Sequence, residues 1–356
     1  MTPDTRPTAV SALEFTVPGL TCGLLPAARP HPRHAEVTQQ VKNWAREHLI
    51  WLLPDPDDVE RYLARDTIEH DTWFFPLADD DRMLDLAIFN LLAFLIDDIA
   101  DEPGTVSAAP SAVDVATMAA VMAHLVRSDD PPGPGASVLE DLQARLQRIK
   151  ADMPPTLRER FVTTACDYIE LQGTTPQEQG WNPAMSLEES MRCHHRAVGV
   201  PVALASIEYR MGVDLTDHLA AHPELVALND ITVRHLLLVN DLATYRKEYF
   251  HGALAWNALA VRQTTCHLPL QKAVDQHCAE IIDAERHYVA QRDLLLTGDL
   301  GRSPAIRHYL AALDYYLAGN LHWSTTAGRY HGPGHHHDGH GTWRLLPDRT
   351  EFSPSP

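Results

Sequence analysis

Asn240, Thr244 and Glu248 follow the apolar run Leu236-Leu237-Leu238-Val239 at positions i, i+4 and i+8. On a helix that spacing stacks an amide carbonyl, a hydroxyl and a carboxylate along one face. Three hard oxygen donors so placed can hold Mg²⁺ and still leave positions for water and phosphate oxygens. Lys247 lies beside the same face and can reach the same phosphate. The pattern N-D-x-x-[ST]-x-x-x-E arises by chance in fewer than about one chain in a hundred of this length. An ordinary polar helix end with i,i+4 pairs is the weaker reading.

A second cluster closes the segment Leu95-Ile96-Asp97-Asp98-Ile99-Ala100-Asp101-Glu102. Asp97 and Asp101 share a helix face, with Asp98 beside them. Carboxylates crowded at a helix C-terminus repel one another and oppose the helix dipole. A bound cation removes both penalties, and oxygen donors with no cysteine nearby suit a hard ion such as Mg²⁺. A solvated acidic helix end is the alternative. Position argues against it, because the cluster follows fourteen almost continuously apolar residues, Met83 to Ile96.

Together the two motifs resemble the paired metal motifs of class I terpene synthases of the bacterial type. A third stretch agrees: Trp323, five intervening residues, then Arg329-Tyr330 is similar to the family's W-x-x-x-x-x-R-Y ending. The resemblance covers residues 35 to 331. It implies an all-α bundle around a central apolar cavity and three Mg²⁺ ions. These ions bridge a prenyl diphosphate between Asp97, Asp98 and Asp101 on one side and Asn240, Thr244 and Glu248 on the other. It makes Lys247, Arg329 and Tyr330 donors to that diphosphate, and Phe94 and Trp323 walls of the cavity where the carbocation is held, with Phe75 and Phe89 as weaker candidates. Bound diphosphate can accept the final proton, so no dedicated base is required. Farnesyl diphosphate is the implied substrate, with geranylgeranyl diphosphate left open because Asn90-Leu91-Leu92-Ala93 lacks bulky aromatics.

One stretch departs from the family. Where an arginine that senses diphosphate is usual, this chain reads Glu189-Ser190-Met191-Arg192-Cys193-His194-His195-Arg196-Ala197-Val198-Gly199. Histidines 194 and 195 occupy the arginine positions. Arginine is always charged and forks onto phosphate, which favours Arg196 over His194 as the sensor, with Arg192 next.

The elements that must position these groups read as helices. Spacing predicts about ten, near residues 36–49, 57–70, 80–101, 111–127, 137–152, 156–173, 186–212, 223–250, 267–297 and 304–330. No sustained strand alternation and no internal repeat is present. Proline-rich residues 1–34 read as an extended strap, 35–331 as one catalytic domain, and 332–356 as a disordered tail, so that removing residues 333–356 should leave activity largely unchanged. The tail's His331, His335, His336, His337 and His340 invite transition-metal binding, with a solvated tail as the plainer reading.

The formal net charge of −19 opposes binding to nucleic acid or an anionic membrane. A chain this acidic must recruit metal ions or gather its few cations locally to handle a diphosphate. Five scattered cysteines without a CxxC pair fit reduced thiols. With no secretory signal at the start, a soluble cytoplasmic enzyme is expected, and a homodimer is left open. Two rivals are a chain-elongating prenyltransferase of the same fold, which would carry a second aspartate-rich motif, and a non-catalytic helical interaction protein.

Overall fold

The run from Met83 to Ile96 has no polar face, so a helix built from it must be enclosed by other helices. The computed structural model, which describes residues 13–101, 115–131, 137–333, 335 and 340–353, places it so. Helices α1 (His34–His48), α2 (Pro56–Leu63) and α3 (Glu69–Phe74) precede the buried helix α4 (Leu84–Asp101). After it come α5 (Val115–Arg127), α6 (Val138–Ala151), α7 (Pro155–Gln172), α8 (Leu187–Ala197), α9 (Val200–Arg210) and α10 (Thr216–Ala221). The long α11 (Pro223–His251) is followed by α12 (Ala258–Thr265), α13 (Leu270–Thr297), α14 (Pro304–Thr326) and α15 (Gly328–His331). Local chemistry sets several starts: Ser137 with Glu140 and Ser186 with Glu189 form capping boxes. Ser303 caps α14 ahead of Pro304. α11 is buried on most sides and packs on α13 and α14. Against α14, α3 comes so close that a Cβ on Gly319 would lie 2.2 Å from the Trp73 carbonyl oxygen.

Several expected helices are broken. Residues 57–70 form two helices, α2 and α3. The span 186–212 divides into α8 and α9 because Gly199 takes a left-handed φ of 72° ahead of Pro201. α14 stops at Thr326, where Ala327 is extended, and the chain restarts as α15. Among the described residues no helix is long and apolar enough to cross a membrane.

The expectation of a disordered tail is overturned. Residues β1 (Leu13–Val17), β2 (Gly341–Leu345) and β3 (Thr350–Ser353) form an antiparallel sheet, with Phe15 opposite Trp343 and Leu13 opposite Leu345. Phe15, Val17, Trp343 and Leu345 point into the core, while Glu14 and Arg344 face out. Gln271 on α13 exchanges two hydrogen bonds with the backbone of Thr16 and so covers the free edge of β1. The strap continues against the bundle, where Glu285 accepts from Thr21 Oγ1 and the Cys22 amide, each at 3.0 Å. His331 and His335 of the proposed metal cluster bond instead to the carbonyls of Ser324 and Thr325. His336 and His337 lie outside the described residues.

Two buried histidines make acid stability measurable. Among the described residues His235 has no hydrogen-bond partner at either ring nitrogen, and His277 engages only Nε2, on the Leu238 carbonyl. Burial pushes both down from 6.5 to about 4. The folded state therefore prefers neutral imidazoles, and their contribution is present above about 6.5 and lost as pH falls toward 4. The denaturant midpoint is expected to fall across that window, and less so in a His235→Leu variant. A midpoint flat from pH 7 to 4.5 would contradict the burial argument.

Candidate active site

α4 and α11 bring the two oxygen-rich motifs to one vestibule of about 450 Å³. Asp97, Asn240, Thr244, Lys247, Glu248, Arg329 and Tyr330 all line it, together with His194. The vestibule narrows past Phe94, Tyr168, Val198, Asn240 and Tyr330 into a deeper cavity of about 110 Å³ that these five residues also line. Phe74, Phe75, Tyr316 and Trp323 wall that deeper part. Trp323 is held by its indole N–H on the Asp66 carbonyl at 2.8 Å and packs 5.8 Å from Phe94, ring to ring. Phe89 does not reach the cavity. It packs against Phe161 in the core.

The second motif has the character of an incomplete coordination sphere. Thr244 Oγ1 is buried and has no hydrogen-bond partner among the described residues, which costs free energy unless something binds there. Glu248 is oriented by Asn257 Nδ2 at 2.8 Å. Asn240 Nδ2 donates to the Tyr330 hydroxyl at 3.3 Å, which directs its carbonyl oxygen elsewhere. An amide, a hydroxyl and a carboxylate on one helix face fit a hard divalent cation. Among the described residues no group of three or more His, Cys, Asp or Glu side chains is placed to hold a metal, so a metal here would draw on the Asn240 amide and the Thr244 hydroxyl as well as on carboxylates.

The first motif divides. Asp97 is partly exposed to the vestibule and accepts from Arg329 Nη2. Asp98 is buried: Lys247 Nζ and Arg329 Nε donate to its Oδ1 at 3.0 Å each, and Arg65 lies 3.5 Å from Oδ2. Burial alone would raise its pKa, yet Arg329, Lys247 and Arg65 hold it well below the usual carboxylate range. Asp98 is thus placed as an internal counter-ion to these cations and, unlike Asp97, does not line the vestibule, a difference from the equal metal-ligand roles expected of the two. The side chain of Asp101 lies outside the described residues. Tyr330 OH accepts from Arg329 Nη1 at 3.1 Å as well as from Asn240, which leaves its own proton to donate.

α15 is fastened where it must be for these contacts. The Arg329 amide donates to the Arg65 carbonyl at 2.8 Å and the Gly328 amide to Asp66 Oδ2 at 3.0 Å. Arg246 on α11 donates to the Tyr330 carbonyl at 2.7 Å.

The family model described as "Terpene synthase family 2, C-terminal metal binding" matches residues 89–287. The chain belongs to that family. A microbial terpene synthase-like protein from Selaginella moellendorffii is 24% identical over 311 residues, covering 86% of this chain and 85% of the relative. A sesquiterpene synthase from Cyclocybe aegerita is 27% identical over 177 residues, 49% of each chain. The crystal structure of aristolochene synthase from Penicillium roqueforti superposes with a TM-score of 0.70 at 22% identity, over 87% of this chain and 99% of that one. The bundle is thus the class I terpene synthase fold, and the protein is an enzyme of that class.

In this synthase the preference for Arg196 as diphosphate sensor is overturned. Arg192 and Arg196 are exposed on α8 and line neither cavity, because the inward face of that helix carries His194. His194 lies with Nδ1 3.3 Å from Asp241 Oδ1. Burial, and secondarily His195, push it down to about 4, so it meets the vestibule as a neutral ring and not as the imidazolium considered from sequence. Burial and then Glu248 push Asp241 well above the usual carboxylate range. Arg196→Ala is expected to keep kcat/KM within about twofold, while His194→Ala loses one neutral hydrogen bond, about tenfold. Steady-state kinetics from pH 6 to 8.5 check both, and a crippled Arg196→Ala would restore the arginine.

Sequence reasoning missed Asn257, Tyr168 and the His194–Asp241 contact. Asn257 carried a legible signal as the N-cap of α12, but not its second bond to Glu248. Tyr168 sits on the ordinary amphipathic pattern of α7 and had none.

Proposed function

We propose that the synthase ionises farnesyl diphosphate with the help of Mg²⁺ and converts the resulting cation to a sesquiterpene. What supports this best is the convergence of Asp97 with Asn240, Thr244 and Glu248 on one vestibule that opens into an aromatic cavity. Asp97 on one wall and the three α11 oxygens on the other would hold the metal ions, which when bound supply Lewis-acid stabilisation of the departing diphosphate. Lys247, Arg329 and Arg65 roughly offset Asp97, Asp98 and Glu248, so these side chains bring little surplus positive charge to a polyanion. That balance is why a metal is needed. Tyr330 and Arg329 donate to the leaving group, and His194 faces it from α8.

Phe94 and Trp323 line the deep cavity, where cation–π attraction would favour a carbocation over water. The fifteen-carbon substrate follows the relative named a sesquiterpene synthase. Asn240-Thr244-Glu248 in place of a second aspartate-rich motif weighs against chain elongation.

The test is incubation with Mg²⁺ and geranyl, farnesyl or geranylgeranyl diphosphate singly, without isopentenyl diphosphate. Released diphosphate and hydrocarbons by gas chromatography are measured. Turnover of farnesyl diphosphate alone is expected. No product from any single allylic diphosphate would reject the reading, and product only with isopentenyl diphosphate would favour the prenyltransferase.

A further inference from the structure

The deep cavity is lined by no Asp, Glu, Lys or Arg among the described residues, but it does contain an imidazole. His70 on α3 has its ring 3.9 Å from that of Phe74, 5.0 Å from Phe94 and 5.2 Å from Trp323, centroid to centroid. Its Nδ1 lies 3.5 Å from Asp71 Oδ2. Asp71 is itself fixed, accepting from Asn90 Nδ2 at 2.9 and 3.1 Å and from the buried Arg210. Burial would raise the Asp71 carboxyl, but Arg210 and His70 keep it below its ordinary value. A carboxylate can only accept, so Nδ1 carries the ring proton and Nε2 keeps a lone pair. Among the described residues no hydrogen-bond partner occupies Nε2. Burial lowers the proton affinity of the ring, which keeps it neutral before reaction.

We propose that His70 Nε2 is the base that ends the cation cascade, with Asp71 as the positioning residue that fixes its tautomer. A C–H bond next to the cationic carbon breaks, its electron pair becomes the second bond of a new alkene, and the proton passes to Nε2. The imidazolium formed is partnered by Asp71 and returns its proton to solvent after product leaves. Geometry separates this base from the diphosphate. The leaving group belongs with Asp97, Thr244 and Glu248 in the vestibule, which His70 does not line. A proton lost from a carbon deep between Phe74 and Trp323 is therefore nearer His70.

This inference rests on the proposed ionisation, so each assay reads both diphosphate release and product profile. His70→Phe and His70→Gln are expected to release diphosphate within about threefold of wild type, with circular dichroism confirming the fold. The share of the principal product should drop about fivefold or more, replaced by products of proton loss elsewhere or of water capture. In His70→Ala, added imidazole should restore the principal product, whereas pyrazole, equal in size but a far weaker base, should not. An unchanged profile in His70→Phe, or equal rescue by both azoles, would overturn the role as base. Failure of wild type to release diphosphate from any allylic substrate would instead overturn the ionisation reading, and this inference with it.

Discussion

Asp97→Asn and Glu248→Gln are each expected to lower kcat/KM by about a hundredfold or more while leaving the fold intact. Both replacements keep shape and remove one charged oxygen. Glu248→Gln can still accept from Asn257 through its amide oxygen, so the local hydrogen bond survives. Asp97 is partly solvent-exposed, and its pairing with Arg329 is backed by the buried Asp98, so the melting temperature should move by no more than about 3 °C. The Mg²⁺ concentration for half-maximal rate should rise in both variants. Asp98→Asn provides the contrast: it leaves the buried Lys247 and Arg329 with only the partly exposed Asp97 as counter-ion, so it should lose activity and stability together. Near wild-type kcat/KM with an unchanged Mg²⁺ requirement in Asp97→Asn or Glu248→Gln would show that the oxygen in question holds no metal.

Asp97 and Asp98 show where the sequence was legible and where it was not. Both stand at the end of an apolar helix, and their adjacency alone does not say which of the two turns toward a site. What separates them is a rotation of about 100° around α4, which turns one toward the vestibule and the other toward Arg65, Lys247 and Arg329, partners 33, 149 and 231 residues away. Asn240, Thr244 and Glu248 were readable because their geometry is internal to one helix. The sensor was not, since the face that α8 turns inward is fixed only once Gly199 breaks the helix and seats α9. Asn257 escaped notice because its partner Glu248 comes from another element, and His70 because the cavity it faces is walled by Phe94 and Trp323 from α4 and α14. The all-helical class was plain from periodicity, but the strands were not. Five residues of alternation, Leu13–Val17 and Gly341–Leu345, lie 324 positions apart at their closest and form a pattern only when paired.

That pairing reverses what truncation should do. A chain ending at Gly332 is expected to lose most activity and to melt well below the full-length synthase. Trp343 and Leu345 are each 1% exposed, and Trp343 packs against Phe15, His331 and Phe352. Losing the Trp343 side chain alone costs about 3–5 kcal/mol, a large share of the net stability of a domain. The sheet also reaches the catalytic end of the bundle. Arg246, one residue before Lys247, donates Nη1 to the Pro347 carbonyl at 2.8 Å and Nε to that of Tyr330. Without the β2–β3 hairpin, Arg246 loses an acceptor that aligns it, β1 loses its partner strand, and the chain end carrying Arg329 and Tyr330 loses its cover. Trp343→Ala in the full-length chain separates the two effects, because it weakens the sheet and leaves the Pro347 carbonyl in place. Its melting temperature should fall, while at temperatures where it stays folded its kcat/KM should exceed that of the truncated chain. Thermal melts and kinetics of both forms decide the matter. A truncated enzyme with wild-type melting and turnover would mean that the sheet neither holds the bundle nor supports α15.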